Sequence, residues 1–408
     1  MQTLKSHRFV LILLFAIIAG SLTGLYLGPS ACKLKPLGEI FLNLVFTSII
    51  PLVFFSIASA IAEIRETQAL YKLTGAMLAV FFLTSLFAAF FMLGCMKLFP
   101  IGQHLVIPLM AVPHPQTVNM AEQIVSMLTV SNFIQLFSRE NMLALIIFSA
   151  LVGFATTSIK EQGSAFAALL LAGRNVSIKL VSLVMLLAPI GFFAFFADLI
   201  GGMGTSLLHA YARITLIYYL AAVLFFFISA NLYAFIAAKQ QGIKNFWQNI
   251  FVPAMTAFAT CSSAASIPAN LEAAESIGVP KEIAELSIPL GGVLHKDGSV
   301  LGGMIKIAFL FGLFHLPFTG TSTLLLAVLI SILVGTVMGA IPSGGMIGEM
   351  LIISVYGFPP QALMIIAVIS MLIDPPATMI SVTSNTLCSM LTARWIKGKN
   401  WLAQQDKI

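Results

Sequence analysis

Lys296, Asp297 and Asp374 are set in sequence that is otherwise apolar and broken by Gly and Pro. Ionisable groups at membrane depth are costly, and where they occur they ordinarily serve a polar ligand or an ion pathway. From Ile307 to Ala393 the only formal charges are Glu349 and Asp374, and the chain there is interrupted by Ile341-Pro342-Ser343-Gly344-Gly345 and by Asp374-Pro375-Pro376. Such groups can hold a charged solute or an ion in transit. The sequence has no nucleotide-binding loop, no His-Glu-x-x-His helix and no Gly-x-Ser-x-Gly elbow, so no enzymatic site is expected.

The elements that must position these residues are helices in lipid. With 59% hydrophobic and 9% charged residues and a mean hydropathy of +1.01, the chain cannot clothe a soluble globule and reads as a polytopic all-α membrane protein. Spans are predicted at 8–28, 37–62, 69–98, 140–158, 165–200 and 211–238. The stretch 99–138 differs: Pro100, Pro108, Pro113 and Pro115 with almost no charge suggest pieces at the outer surface. Met1 to Gly28 imitates a secretory signal but is read as an uncleaved first span. The net charge of +6 is assigned to cytoplasmic anchors and not to nucleic acid: Lys5, His7 and Arg8 before the first span, Arg394, Lys397 and Lys399 after the last. Both termini are therefore expected on the cytoplasmic side of the inner membrane. Cys32, Cys95, Cys261 and Cys388 have no metal-ligand spacing and no pair that can be argued to bridge.

From Phe251 to Ala393 a similar unit is read twice: an apolar segment, a small-residue tip, a short second segment, then a long helix with an acidic break. The first tip is Cys261-Ser262-Ser263-Ala264-Ala265-Ser266-Ile267-Pro268, with its break at His295-Lys296-Asp297-Gly298-Ser299. The second tip is Ile341 to Gly345, with its break at Asp374 to Ala377. Arms of this length are too short to span, so each unit reads as a re-entrant hairpin followed by a discontinuous helix, the pattern of a secondary transporter's midplane site.

On these motifs, and on Leu34 to Glu39, Ile50-Pro51-Leu52-Val53-Phe54, Leu83-Thr84-Ser85 and Ala188-Pro189-Ile190-Gly191, the chain resembles the dicarboxylate/amino acid:cation symporters, the glutamate transporter homologues, over nearly its whole length. The resemblance implies eight transmembrane helices plus two re-entrant hairpins (about 251–279 and 322–357) in inverted repeats, working as an elevator within a homotrimer. Residues 1–62 and 99–207 would be scaffold, 63–98 and 208–398 the moving domain, and 399–408 a cytoplasmic tail.

The same resemblance places Asp374 against a substrate's α-ammonium and the first tip, chiefly Ser263 and with it Ser262, against the α-carboxylate. Helix N-termini would assist that anion. Ile341, Pro342, Ser343 and Gly344 would form the outer gate. Ala377 departs from acidic-substrate members, which place an arginine there, and a bidentate contact of that kind is hard to replace. A neutral amino acid is the implied substrate, with Thr378 and Ser381 as hydrogen-bonding candidates. Each of these residues also has a purely structural alternative: Asp374 as a folding carboxylate, the serines as small packing residues, Thr378 and Ser381 bonded to their own helix.

The ion sites depart further. Ser381 and Asn385 stand where an asparagine and a sodium-binding aspartate are expected, and Phe81 where a tyrosine is expected. A residual sodium site would consist of Thr84, Ser85 and Asp297. Lys296 would either replace a sodium ion, exchange a proton, or remain paired with Asp297 or another carboxylate. His295 has the right chemistry for proton coupling, or else replaces an asparagine as a hydrogen-bonding group. Glu349 is either a proton carrier or a structural partner. The expectation is a sodium-independent, proton-coupled carrier of neutral amino acids with no organic cofactor. The alternatives are a sodium-coupled amino-acid or dicarboxylate symporter and a non-transporting amino-acid receptor.

Overall fold

The computed structural model describes residues 2–62, 68–99, 125, 128–138, 141–203, 206–337 and 345–402, and no strand occurs among them. Helices α1 (Gln2–Leu27) and α2 (Lys35–Ala62) are joined by a 3-10 segment, Gly28–Leu34. They pack with α4 (Met142–Ser158), α5 (Ser164–Val184) and α6 (Ala188–Met203), α2 lying against all three and α1 against α6. A Cβ at Gly20 or Gly24 would strike the backbone of Phe193 or Ala197, so α1 and α6 approach as closely as small residues allow in an apolar solvent. The span foreseen at 165–200 is two helices. Pro189 has no N–H to offer the carbonyl of Met185, and the chain tightens there into the 3-10 turn Met185–Leu187.

A second bundle holds α3 (Gln68–Leu98), α7 (Ser206–Asn249) and everything after it. Helix α7 is broken at Ala238 and Lys239, the latter at a φ of 53°, which is where the span read at 211–238 ends. Helices α8 (Phe251–Thr260) and α9 (Ser263–Ile277) form the first hairpin, and α10 (Lys281–Leu294) and α11 (Asp297–Leu313) follow. Helices α12 (Thr321–Val337) and α13 (Gly345–Tyr356) form the arms of the second hairpin, and α14 (Ala362–Lys397) closes the bundle. Nearly every α11 side chain is buried, as befits a helix apolar on all sides. Beyond α14 the buried Trp401 donates its indole N–H to the carbonyl of Ala237 at 2.9 Å. The bundles meet where α13 lies against α4 and α2. Five helical stretches among the described residues are long and apolar enough to cross a membrane.

The first hairpin turns at Cys261, in the left-handed region at φ 50°, and Ser262 caps α9 by accepting from the amide of Ala265 at 3.2 Å. Its arms of 10 and 15 residues reach about 15 and 22 Å, short of the ~30 Å hydrocarbon core. The break between α10 and α11 also lies where the sequence predicts it, with His295 extended and Lys296 outside the helical region. The second predicted break is not there. Helix α14 runs without interruption through Asp374, Pro375, Pro376 and Ala377. Pro376 leaves the carbonyl of Leu372 without its helical donor, and the hydroxyl of Tyr219 on α7 supplies one at 3.1 Å. The second tip, including Ile341, Pro342, Ser343 and Gly344, lies outside the described residues.

Candidate functional site

The non-helical pair His295-Lys296 turns the His295 side chain toward α3 and α14. Its Nε2 is 2.9 Å from Oδ1 of Asp297 and 2.8 Å from Oγ1 of Thr84, and its Nδ1 is 2.8 Å from Oδ1 of Asn385. Ser85 donates to the same Asp297 oxygen at 3.2 Å. Three of the predicted ion-coupling residues, one each on α3, α11 and α14, thus contact one imidazole, which is 1% exposed, and Ser85 joins them through Asp297. Thr84 has backbone acceptors for its own proton, at 3.1 Å to the carbonyls of Val80 and Phe81, and is free to accept from the ring. A ring with an acceptor at each nitrogen satisfies both contacts as a donor only in its doubly protonated, cationic form. Phe81 stacks on it at a centroid distance of 4.6 Å and 13°, a contact that favours a cation over the ring face.

One turn-length away, α11 begins against the middle of α14. A Cβ on Gly298 would fall on the backbone of Ala377, so glycine is required for this approach. The Gly298 amide donates to Ser381 Oγ at 3.2 Å, Ser381 donates to the carbonyl of Ala377 at 2.8 Å, and Tyr218 donates to the carbonyl of Gly298 at 2.8 Å. Ser381 is therefore spent on holding the two helices together. Thr378 donates to Asp374 Oδ1 at 3.1 Å, and Asp374 itself is exposed. No arginine occurs on α14 before Arg394. Lys296 is half-buried, and the described partners of Asp297 are His295 and Ser85.

On the first tip, Ser263 opens α9 at 8% exposure, Ser262 serves as the cap, and Ser266 is fully buried and donates to the carbonyl of Ser262 at 3.0 Å. Asn270, not singled out in the sequence, ties this arm to α14 by donating to the carbonyl of Val382 at 3.0 Å and accepting from Thr386.

Glu349 has a partner that sequence reasoning missed. Lys306 on α11 lies 3.2 Å from Glu349 Oε1, both residues are at most 3% exposed, and Ser370 on α14 hydrogen-bonds to both. A lysine in an apolar helix carries the same signal as Lys296. It was passed over because it stands one residue before Ile307, where the stretch whose only charges are Glu349 and Asp374 begins. Tyr218 and Tyr219 gave no local signal, since their partners are backbone atoms of distant helices.

Residues 9–395 match the family model described as the sodium:dicarboxylate symporter family. A proton/sodium-glutamate symport protein of Bacillus subtilis (strain 168) is 25% identical over 373 residues, 89% of this chain and 86% of the relative. A proton/glutamate-aspartate symporter of Escherichia coli (strain K12) is 24% identical over 419 residues, covering 96% of this chain and 94% of the relative. A C4-dicarboxylate transport protein of Pseudomonas syringae pv. tomato is 24% identical over 402 residues, covering 96% and 86%.

Proposed function

The chain belongs to the sodium:dicarboxylate symporter family, and we propose that this member carries neutral amino acids across the cytoplasmic membrane without sodium, coupled instead to protons. The observation that carries the proposal is the His295 imidazole set among Asp297, Thr84, Ser85 and Asn385. A sodium ion needs oxygen atoms around it, and here the ring takes up the space between them. A tethered cation in that space repels a second one strongly in a low-dielectric setting. Lys296, for which sodium replacement, proton exchange and a permanent ion pair are the alternatives, is the less direct candidate, because the described partners of Asp297 are His295 and Ser85.

Substrate selection follows from α14. The exposed Asp374 takes the α-ammonium, and Ser263 with the first hairpin tip takes the α-carboxylate. A side-chain carboxylate would meet the buried Ala377 in place of a guanidinium. The second hairpin, with Ile341, Pro342, Ser343 and Gly344 at its tip, acts as the outer gate. The architecture proposed is eight spans and two re-entrant hairpins in inverted repeats, assembled as a homotrimer with both termini cytoplasmic. Residues 63–98 and 208–398 move as an elevator against 1–62 and 99–207. The packing of α3 with α7 to α14, apart from α1, α2 and α4 to α6, is consistent with that division.

One observation favours a second reading, a residual sodium site at Thr84, Ser85 and Asp297: Oδ2 of Asp297 is buried without a hydrogen-bond partner. Uptake of labelled alanine, serine, leucine, glutamate and succinate into proteoliposomes, measured with sodium replaced by choline, separates the two. Neutral uptake that persists in choline supports the proposal; uptake restored only by sodium defeats it.

A further inference from the structure

A carboxylate, an ammonium and a hydroxyl from three different helices converge about one turn from Asp374, in a place the substrate and sodium readings leave unused. Glu349 is 1% exposed on α13, Lys306 3% exposed on α11, and Ser370 half-buried on α14. Lys306 Nζ donates to Glu349 Oε1 at 3.2 Å and to Ser370 Oγ, and Ser370 donates to the same Oε1. The second carboxylate oxygen, Oε2, is buried with no hydrogen-bond partner. A buried, unpaired carboxylate oxygen is expensive, and adding a proton there removes the charge that makes it so.

Resting on the proton-coupled reading given above, we propose that Lys306, Glu349 and Ser370 form the carrier's proton-binding site, with Glu349 as the acceptor. Lys306 is the counter-charge of the carboxylate, and Ser370 holds the two in register. Its hydroxyl touches both charged partners and leaves Oε2 of Glu349 as the open position for the proton, and it stands four residues before the exposed Asp374 on the same helix. The proton on Glu349 travels with the substrate because α11, α13 and α14 belong to the bundle that also holds Asp374. Glu349 is one turn into α13, the second arm of the second hairpin.

The surroundings leave few competing groups. Helix α11 brings Asp297 besides Lys306, α14 brings Asp374, and α13 itself brings Tyr356. Helices α4 and α12, which also pack on α13, have no ionisable side chain, and those of α2, Lys35 and Glu39, are paired with each other at 3.7 Å.

The test uses full-length protein in proteoliposomes loaded with a pH-sensitive dye, with labelled alanine, serine and leucine as probes. Proton flux, net uptake and exchange of labelled for unlabelled amino acid are recorded for the wild type, Glu349→Gln, and the double variant Lys306→Gln/Glu349→Gln. The double variant leaves no lysine unpaired and keeps the comparison available if the single variant misfolds. The expected result is that wild-type uptake carries protons, whereas both variants lose the proton flux and the response of uptake to a pH gradient while exchange continues. Wild-type proton flux that survives in the variants overturns this site and leaves the proton-coupled reading standing. Wild-type uptake without protons overturns both.

Discussion

Replacing His295 with asparagine removes the imidazole, the tethered cation of the proposal, and leaves Asp297 buried with Ser85 as its remaining described side-chain partner. Breaking a buried charge pair from one side costs about 3–5 kcal/mol, because the surviving charge stays desolvated. At roughly 2 °C per kcal/mol for a large domain, the His295→Asn protein should melt about 6–10 °C below the wild type in choline buffer. Removal of the ring also opens the oxygen cluster to a small cation. Sodium at a hundred times its dissociation constant should then restore about 2.7 kcal/mol, most of the loss. The assay is tryptophan-monitored thermal unfolding of the purified protein in detergent, titrated with sodium or choline, with uptake measured in parallel. The wild type should ignore sodium and the variant should be stabilised by it. A wild type that sodium stabilises, or a variant that melts with the wild type and ignores sodium, would refute the tethered-cation reasoning.

Ala377→Arg should weaken neutral uptake and confer competition by glutamate and aspartate, since a guanidinium beside Asp374 provides the bidentate contact now lacking; competition assays that still favour neutral amino acids contradict this. Gly298→Ala puts a methyl group into the Ala377 backbone and should cost about 1–3 kcal/mol by overpacking, read as a lower melting temperature. Tyr219→Phe strips the carbonyl of Leu372 of its donor where Pro376 cannot serve, at about 1–3 kcal/mol. An unchanged melting temperature in Tyr219→Phe would show that α14 does not depend on that bond.

Local features of the chain were legible where the chain itself determines the outcome. The run from Cys261 to Pro268 marks a hairpin tip because small and hydroxyl-bearing residues turn and cap a helix with their own backbone, and Ser262 does so. His295 to Ser299 marks a break that the dihedral angles of His295 and Lys296 display. Pro375-Pro376 looks the same in sequence yet breaks nothing, because the donor that repairs α14 comes from Tyr219, 153 positions away from Leu372. The pairing of His295 with Thr84 and Asn385, and of Lys306 with Glu349, is likewise set by packing between helices distant in sequence. The sequence named His295, Thr84, Asn385 and Glu349 as candidates but left their partners open, and it overlooked Lys306. Ser381 and Ser262 show the converse: hydroxyls at site positions are taken up by the helices that carry them.

The most direct measurement is uptake of a labelled amino-acid panel into proteoliposomes with sodium and pH gradients imposed one at a time. Flux of neutral amino acids that follows the pH gradient and is indifferent to sodium is the expected result. Sodium-driven flux, or a preference for glutamate, aspartate or a dicarboxylate, would contradict the roles assigned to His295 and Ala377.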